Sequence, residues 1–276
     1  MSDKGKSNPE STPVYLLTAS LLIATLSIIA SVSGLLCPDD LYPTETLREF
    51  ALANDAANLF IGLPILLGSI WLDHRGKYVG CLLWPGALMY TLYNYLAYVI
   101  AVPLSWIYIT YLLIVALSFY TLIAVLGTID FDLAEQRLSR AVPERLSGAV
   151  LFILGAFVFV RVFGVVIQAQ MAASMLEPTD LALLLADTLL APAWVIGGIL
   201  LWKNKPLGYA TGLALLFQGS MLFLGLIIVL ALQPLFNDAS LPLADIIIVA
   251  AMGLICFIPF FGYLRGASSS YSRMGR

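Results

Sequence analysis

The chain of 276 residues is 61% hydrophobic and 11% charged, with a formal net charge of −3. Soluble globular domains run at roughly 45–50% apolar and 25% charged, so this composition excludes a water-facing globule. It predicts an all-α, polytopic integral membrane protein whose partner is the lipid bilayer, with no nucleic acid.

Residues 1–13, "MSDKGKSNPESTP", form a predicted cytoplasmic tail. The apolar run from Val14 to Leu36 has 23 residues, longer than the roughly 7–15 of a signal-peptide core, and is expected to stay as a helix. "SGLLC", ending at Cys37, is a poor lipid-attachment site because bulky Leu36 stands where a small residue should precede the cysteine. Further runs approach or exceed the roughly 20 residues that cross a hydrocarbon core. They span Asn58 to Leu72, Tyr78 to Val102, Leu104 to Leu126, Gly148 to Ala172, Leu181 to Trp202, Leu207 to Leu232 and Ala244 to Leu264. The first of these is short, but Thr46 followed by Glu49 has capping-box spacing, so that helix is expected to extend outward to Leu47.

Eight predicted spans make one transmembrane domain over residues 14–264, followed by a cytoplasmic tail at 265–276. With the N-terminus inside, twelve of the fourteen lysines and arginines fall on the cytoplasmic side, Arg48 falls outside, and Arg161 lies within a span. Cytoplasmic loops carry the excess of basic residues, so both termini are expected inside the cell (inner) membrane. The lack of an evident targeting segment favours a prokaryotic rather than an organellar membrane. The outer segments lean acidic, with Asp39, Asp40, Glu45 and Glu49 before the second span; the insertion bias against lysine is enough to explain this.

The longest inner linker, residues 129–147, divides the chain into halves at 14–128 and 148–264. A shift of 128 residues lays Pro64 on Pro192, Arg75 on Lys203, Lys77 on Lys205 and Gly80 on Gly208. That register suggests a 4+4 pseudo-repeat whose halves run parallel, because each contains an even number of spans.

Arg161 stands in the apolar run "FVFVRVFGVV". An arginine at a helix centre costs about 2.5–3.5 kcal/mol on insertion scales, and the fourteen Leu, Ile, Phe and Val between Val150 and Ile167 return roughly 4–8 kcal/mol. The span inserts despite its charge, but the arginine needs a partner, a wet cavity or a ligand. Asp187, on the next helix, is the candidate partner, although helical side chains lean toward their own N-termini, which directs these two apart.

Other polar residues follow helical spacing. Asp55 and Asn58 are three apart, Tyr90, Asn94 and Tyr98 form a stripe with Tyr93 beside it, and Gln168 is seven after Arg161. Converging stripes would enclose a polar pocket open to the outside. Tyr108 and Tyr111 are expected in an interfacial aromatic belt.

Familiar chemistry is missing. The single histidine, His74, lies in a basic turn, the three cysteines are scattered, and there is no HExxH, GxSxG, Walker or GxGxxG motif. Neither cofactor nor metal is expected, and an enzyme of a familiar class is disfavoured. The expected function is a transporter or permease for a small polar or ionic solute, bound by Arg161, Asp187, Asn58, Asn94, Tyr98 and Gln168. Two alternatives stand beside it. One is a non-transporting subunit or sensor with a structural buried ion pair, and the other is a membrane-embedded lipid-modifying enzyme.

Overall fold

A computed structural model describes residues 13–173, 175–236 and 241–274. The predicted N-terminal tail lies outside the described residues but for Pro13. The described chain is helical throughout, in the order α1 (Val14–Leu36), the short α2 (Pro38–Leu41), α3 (Glu45–Ala57), α4 (Leu63–His74), α5 (Tyr78–Ala101), α6 (Tyr108–Thr128), α7 (Phe131–Leu138), α8 (Glu144–Met171), α9 (Pro178–Trp202), α10 (Pro206–Phe236) and α11 (Leu243–Met274). Seven of these helical stretches are long and apolar enough to cross a membrane, with α3 and α4 counted as one continuous piece, Glu45–His74. The chain has the character of a multi-pass membrane protein.

The exposure pattern supports that assignment. Phe163 is 64% and Ile247 66% exposed, while Asp55 and Gln218 are 0%. Apolar outside and polar inside is stable only when lipid replaces water around the bundle.

α5, the third predicted span, is not among the seven. Its tyrosines and Asn94 dilute its hydropathy, and 14 of its 24 residues are buried. It packs on α4, α6, α9 and α10 and so sits inside the bundle. A helix shielded by its neighbours has less need of a fully apolar surface.

One local expectation is corrected. The cap of α3 is Thr44, not Thr46: Thr44 is extended (φ −109, ψ 149) and its side chain accepts from Leu47 N at 3.3 Å. Thr46 already lies inside the first turn, where its backbone is helical. Within the linker at 129–147, Asp130 Oδ1 accepts from Leu133 N at 2.9 Å and starts α7, whose Ala134 and Leu138 are buried. α11 runs on past residue 264, so the described part of the predicted tail is helical to Met274.

Pro64 has no N–H to offer the carbonyl four residues before it. The chain answers with a π turn over Asn58–Gly62, in which Leu63 N donates to Asn58 O, so α3 and α4 join without a break. Such wide turns frequently occur at functional sites.

The α4–α5 and α9–α10 turns share one construction. Lys77 N donates to Leu72 O and Lys205 N to Leu200 O, each at 2.9 Å. Gly76 and Asn204 take the left-handed backbone, with φ of 68 and 53. A Cβ on Gly80 would strike Asp73 N and Leu72 C, and one on Gly208 would strike the equivalent Leu201 N and Leu200 C.

Candidate functional site

The site is built around the α8–α9 hairpin, the most extensively packed helix pair in the bundle. The helices approach closely through glycines: a Cβ on Gly155 would press on the Ala191 carbonyl, and one on Gly198 on Phe152 N. This closeness carries Arg161 across to Asp187, whose Oδ2 accepts from Arg161 Nη2 in a hydrogen-bonded ion pair. The guanidinium is long enough to overcome the opposed lean of the two side chains. From α5, Tyr93 Oη donates to Asp187 Oδ1 at 2.8 Å. Both carboxylate oxygens are therefore satisfied, and the Asp187 side chain is 8% exposed against 43% for that of Arg161.

Two cavities meet at this pair. One, of about 330 Å³, lies in the α8–α9 hairpin and is lined by Arg161, Gln168, Asp180 and Leu183 among others. The second, of about 460 Å³, is central and bounded by α3, α5, α8, α9, α10 and α11. Arg161 and Leu183 border both cavities, whereas Asp187, Tyr93 and Asn94 border only the central one. The rest of the central wall is largely apolar and aromatic, including Phe50, Phe157, Phe223 and Leu226. Trp194 also lines it; the residue is 1% exposed and its indole N–H finds no acceptor among the described residues. A cavity of this size, with few polar groups on an apolar wall, has the ordinary form of a small-molecule site. No protein family, curated protein or solved structure matches this chain. The chemistry of the site must therefore be argued from its own residues.

Of the residues expected to bind solute, Arg161, Asp187 and Asn94 come together at the central cavity, and Gln168 joins Arg161 at the hairpin cavity. Asn58 and Tyr98 line neither of these. Asn58 faces a separate small void with Thr91 and Tyr95. Tyr98 lies four residues beyond Asn94, and four residues overshoot a full helical turn by about 40°. Tyr90, Tyr93, Asn94 and Ala97 face the cavity, while Tyr98 turns to α3.

There Tyr98 belongs to a second polar cluster. Asp55 Oδ2 accepts from Tyr42 Oη at 2.7 Å, and Tyr98 Oη lies 2.9 Å from both Asp55 Oδ1 and Ala51 O. The Tyr111 ring is 5.2 Å from that of Tyr98, centroid to centroid, and Tyr111 is 0% exposed. Tyr111 is therefore no interfacial belt residue; its ring is enclosed by other tyrosines. Burial pushes the Tyr42 phenol well above its ordinary value, and the Asp55 charge pushes it the same way, so Tyr42 remains a donor. Helical spacing marked Asp55 and Tyr93 as polar positions in spans, but nothing local linked either one to its partners.

Proposed function

We propose that this protein is a transporter or permease for a small solute that carries a polar or anionic group, with Arg161 as the contact that selects it. The observation carrying this reading is that Arg161 borders both cavities while Asp187 neutralises it from one side only. One of its terminal nitrogens is committed to Asp187. A guanidinium has five N–H donors, so capacity remains for a carboxylate or similar group. The apolar body of such a solute would lie against Phe50, Phe157 and Phe223, and the unpartnered Trp194 N–H would meet an acceptor. Asn94 and Gln168 would orient it from the two cavities, while Asn58 and Tyr98 would act behind the wall.

In the same reading α5 is an eighth crossing. Eight crossings put both termini on one side, which the basic residues assign to the cytoplasm of a cell (inner) membrane. The shared turn construction at Gly80 and Gly208 supports a parallel 4+4 repeat, and movement of one half against the other would give alternating access.

A second reading has its own support. With Arg161 and Tyr93 both bonded to Asp187, the pair also suits a structural role that fixes helix register in a non-transporting subunit or sensor. The two are separated by screening purified protein for thermal stabilisation by small organic anions, cations and neutral solutes, then testing any hit for uptake into proteoliposomes. Transport predicts an anion that stabilises the wild type, fails to stabilise Arg161→Gln, and is taken up. The structural role predicts no hit that depends on Arg161.

A further inference from the structure

Asp55 lies in a stretch apolar enough to cross a membrane and is 0% exposed. Its hydrogen-bond partners among the described residues, the phenols of Tyr42 and Tyr98 and the Ser31 hydroxyl of α1, are all neutral. The elements packed on α3 are α1, α2, the π turn, α5, α9 and α10. Of these, α1, α5, α10 and the π turn contain no Asp, Glu, Lys, Arg or His. α2 brings Asp39 and Asp40, and α9 brings Asp180 and Asp187, the last held by Arg161 and Tyr93. α3 itself carries Glu45, Arg48 and Glu49, and Arg48 pairs with Asp39 at 2.7 Å, two turns before Asp55. Beyond its direct partners, the phenols of Tyr95 and Tyr111 stand one ring away. Among the described residues the Asp55 carboxylate is thus buried without a bonded cation, a costly arrangement inside a membrane. Two phenol donors offset that cost in part, because hydrogen bonds to a charged form favour it.

We propose that Asp55 is a proton-binding site, and that Tyr98 redirects its hydroxyl as the proton comes and goes. Tyr98 Oη stands at the same 2.9 Å from Asp55 Oδ1 and from the Ala51 carbonyl, and its single hydrogen can serve only one of them well. With Asp55 ionised, Tyr98 donates to the carboxylate. When a proton from water binds Asp55 at Oδ1, the new O–H donates to Tyr98 Oη, and the phenol hydrogen turns to Ala51 O. Asp55, Tyr42 and Tyr98 each keep a partner in both states, and only one proton is gained.

The packing selects a proton over a larger cation. A Cβ placed on Gly34 would overlap Asp55 Oδ2 and Tyr42 Oη, and Asp55 borders neither of the cavities at Arg161. A metal or sodium ion needs a shell of several oxygens and the space to hold them, whereas a proton needs none.

The site also lies against the central cavity wall. Phe50 and Asn54 of α3 line that cavity, and the Phe50 ring is 6.3 Å from that of Tyr98. Coupling of the proton to a solute would rest on the transport reading, but the proton site itself does not.

The test is infrared difference spectroscopy of the purified full-length protein in lipid, stepped between pH about 5 and 9, a window above the ordinary carboxyl range, in which solvent-exposed Asp and Glu stay ionised. The expected result is a carboxylic-acid C=O band that disappears as pH rises. It should be absent in Asp55→Asn, retained in Asp187→Asn and moved in frequency in Tyr98→Phe. If Asp55→Asn does not fold, the comparison of wild type with Tyr98→Phe still decides, because only an acid bonded to that phenol responds to its loss. A wild type with no titrating acid band, or a band indifferent to Tyr98→Phe, would overturn the proposal. Absence of any solute uptake by a wild type that shows the band would count against the transport reading alone.

Discussion

Arg161 of α8 and Asp187 of α9 form an ion pair across one helical hairpin, and Tyr93 of α5 donates at 2.8 Å to the carboxylate oxygen that Asp187 does not offer to Arg161. The pair is lopsided: the carboxylate is almost wholly covered while nearly half of the arginine side chain is open. Removing either partner therefore leaves a different kind of orphan.

Arg161→Met leaves Asp187 buried with only Tyr93 as donor. It should lower stability by about 1–3 kcal/mol, the cost of an unsatisfied buried group. Asp187→Leu leaves a partly exposed cation and should cost less. The double variant should recover much of the loss, because replacing an ion pair with apolar groups is often neutral. Thermal unfolding of the four proteins checks this. Losses that simply add in the double variant would rule out energetic coupling between the two side chains.

Gly34→Ala and Gly164→Ala make a matched comparison. The first forces a methyl group into Asp55 and Tyr42, and the second meets nothing within 4 Å. Overpacking costs about 1–3 kcal/mol, whereas alanine in place of an exposed helical glycine gains up to about 1 kcal/mol. Opposite shifts in melting temperature are expected. A neutral Gly34→Ala would mean that the Asp55 cluster is not tightly closed.

Gly80→Ala and Gly208→Ala each drive a methyl group into the backbone of the preceding helix at equivalent atoms. Both should destabilise, by similar amounts of about 1–3 kcal/mol. A large loss at one position beside none at the other would argue against a repeated hairpin.

α6 separates Leu104 from Ser139, and with α5 as a crossing Leu104 lies on the outer side of the membrane and Ser139 on the inner. Leu104 is 84% exposed and Ser139 is also exposed. After replacement of Cys37, Cys81 and Cys256, an impermeant thiol reagent should label Leu104→Cys in intact cells and leave Ser139→Cys unlabelled until the membrane is opened. Labelling of Ser139→Cys but not of Leu104→Cys in intact cells would remove α5 as a crossing.

What the sequence determined by itself is what depends on neighbours along the chain. The bounds of α1 follow from one unbroken apolar run, and they coincide with the helix at Val14–Leu36. Apolar length and the place of the basic turns are local quantities, so the helices were legible apart from their ends. The cap at Thr44 and the short α7 escaped because backbone geometry chooses between nearby candidate caps, and a helix of eight mixed residues has no apolar run to announce it.

Tertiary structure decided which polar residues meet. Tyr93, Asn94 and Tyr98 stand within six residues of one another on α5, yet they divide between Asp187 and its cavity on one side and Asp55 on the other. The division depends on where α3, α9 and α10 dock around α5. On the α10 side that docking includes the close approach of Gly86 to the Ala214 backbone, where a Cβ would not fit. Helical periodicity gives each residue a direction around its own axis, but not the helix that it faces. A membrane adds no apolar driving force to sort helices among themselves, so shape at small residues made that choice.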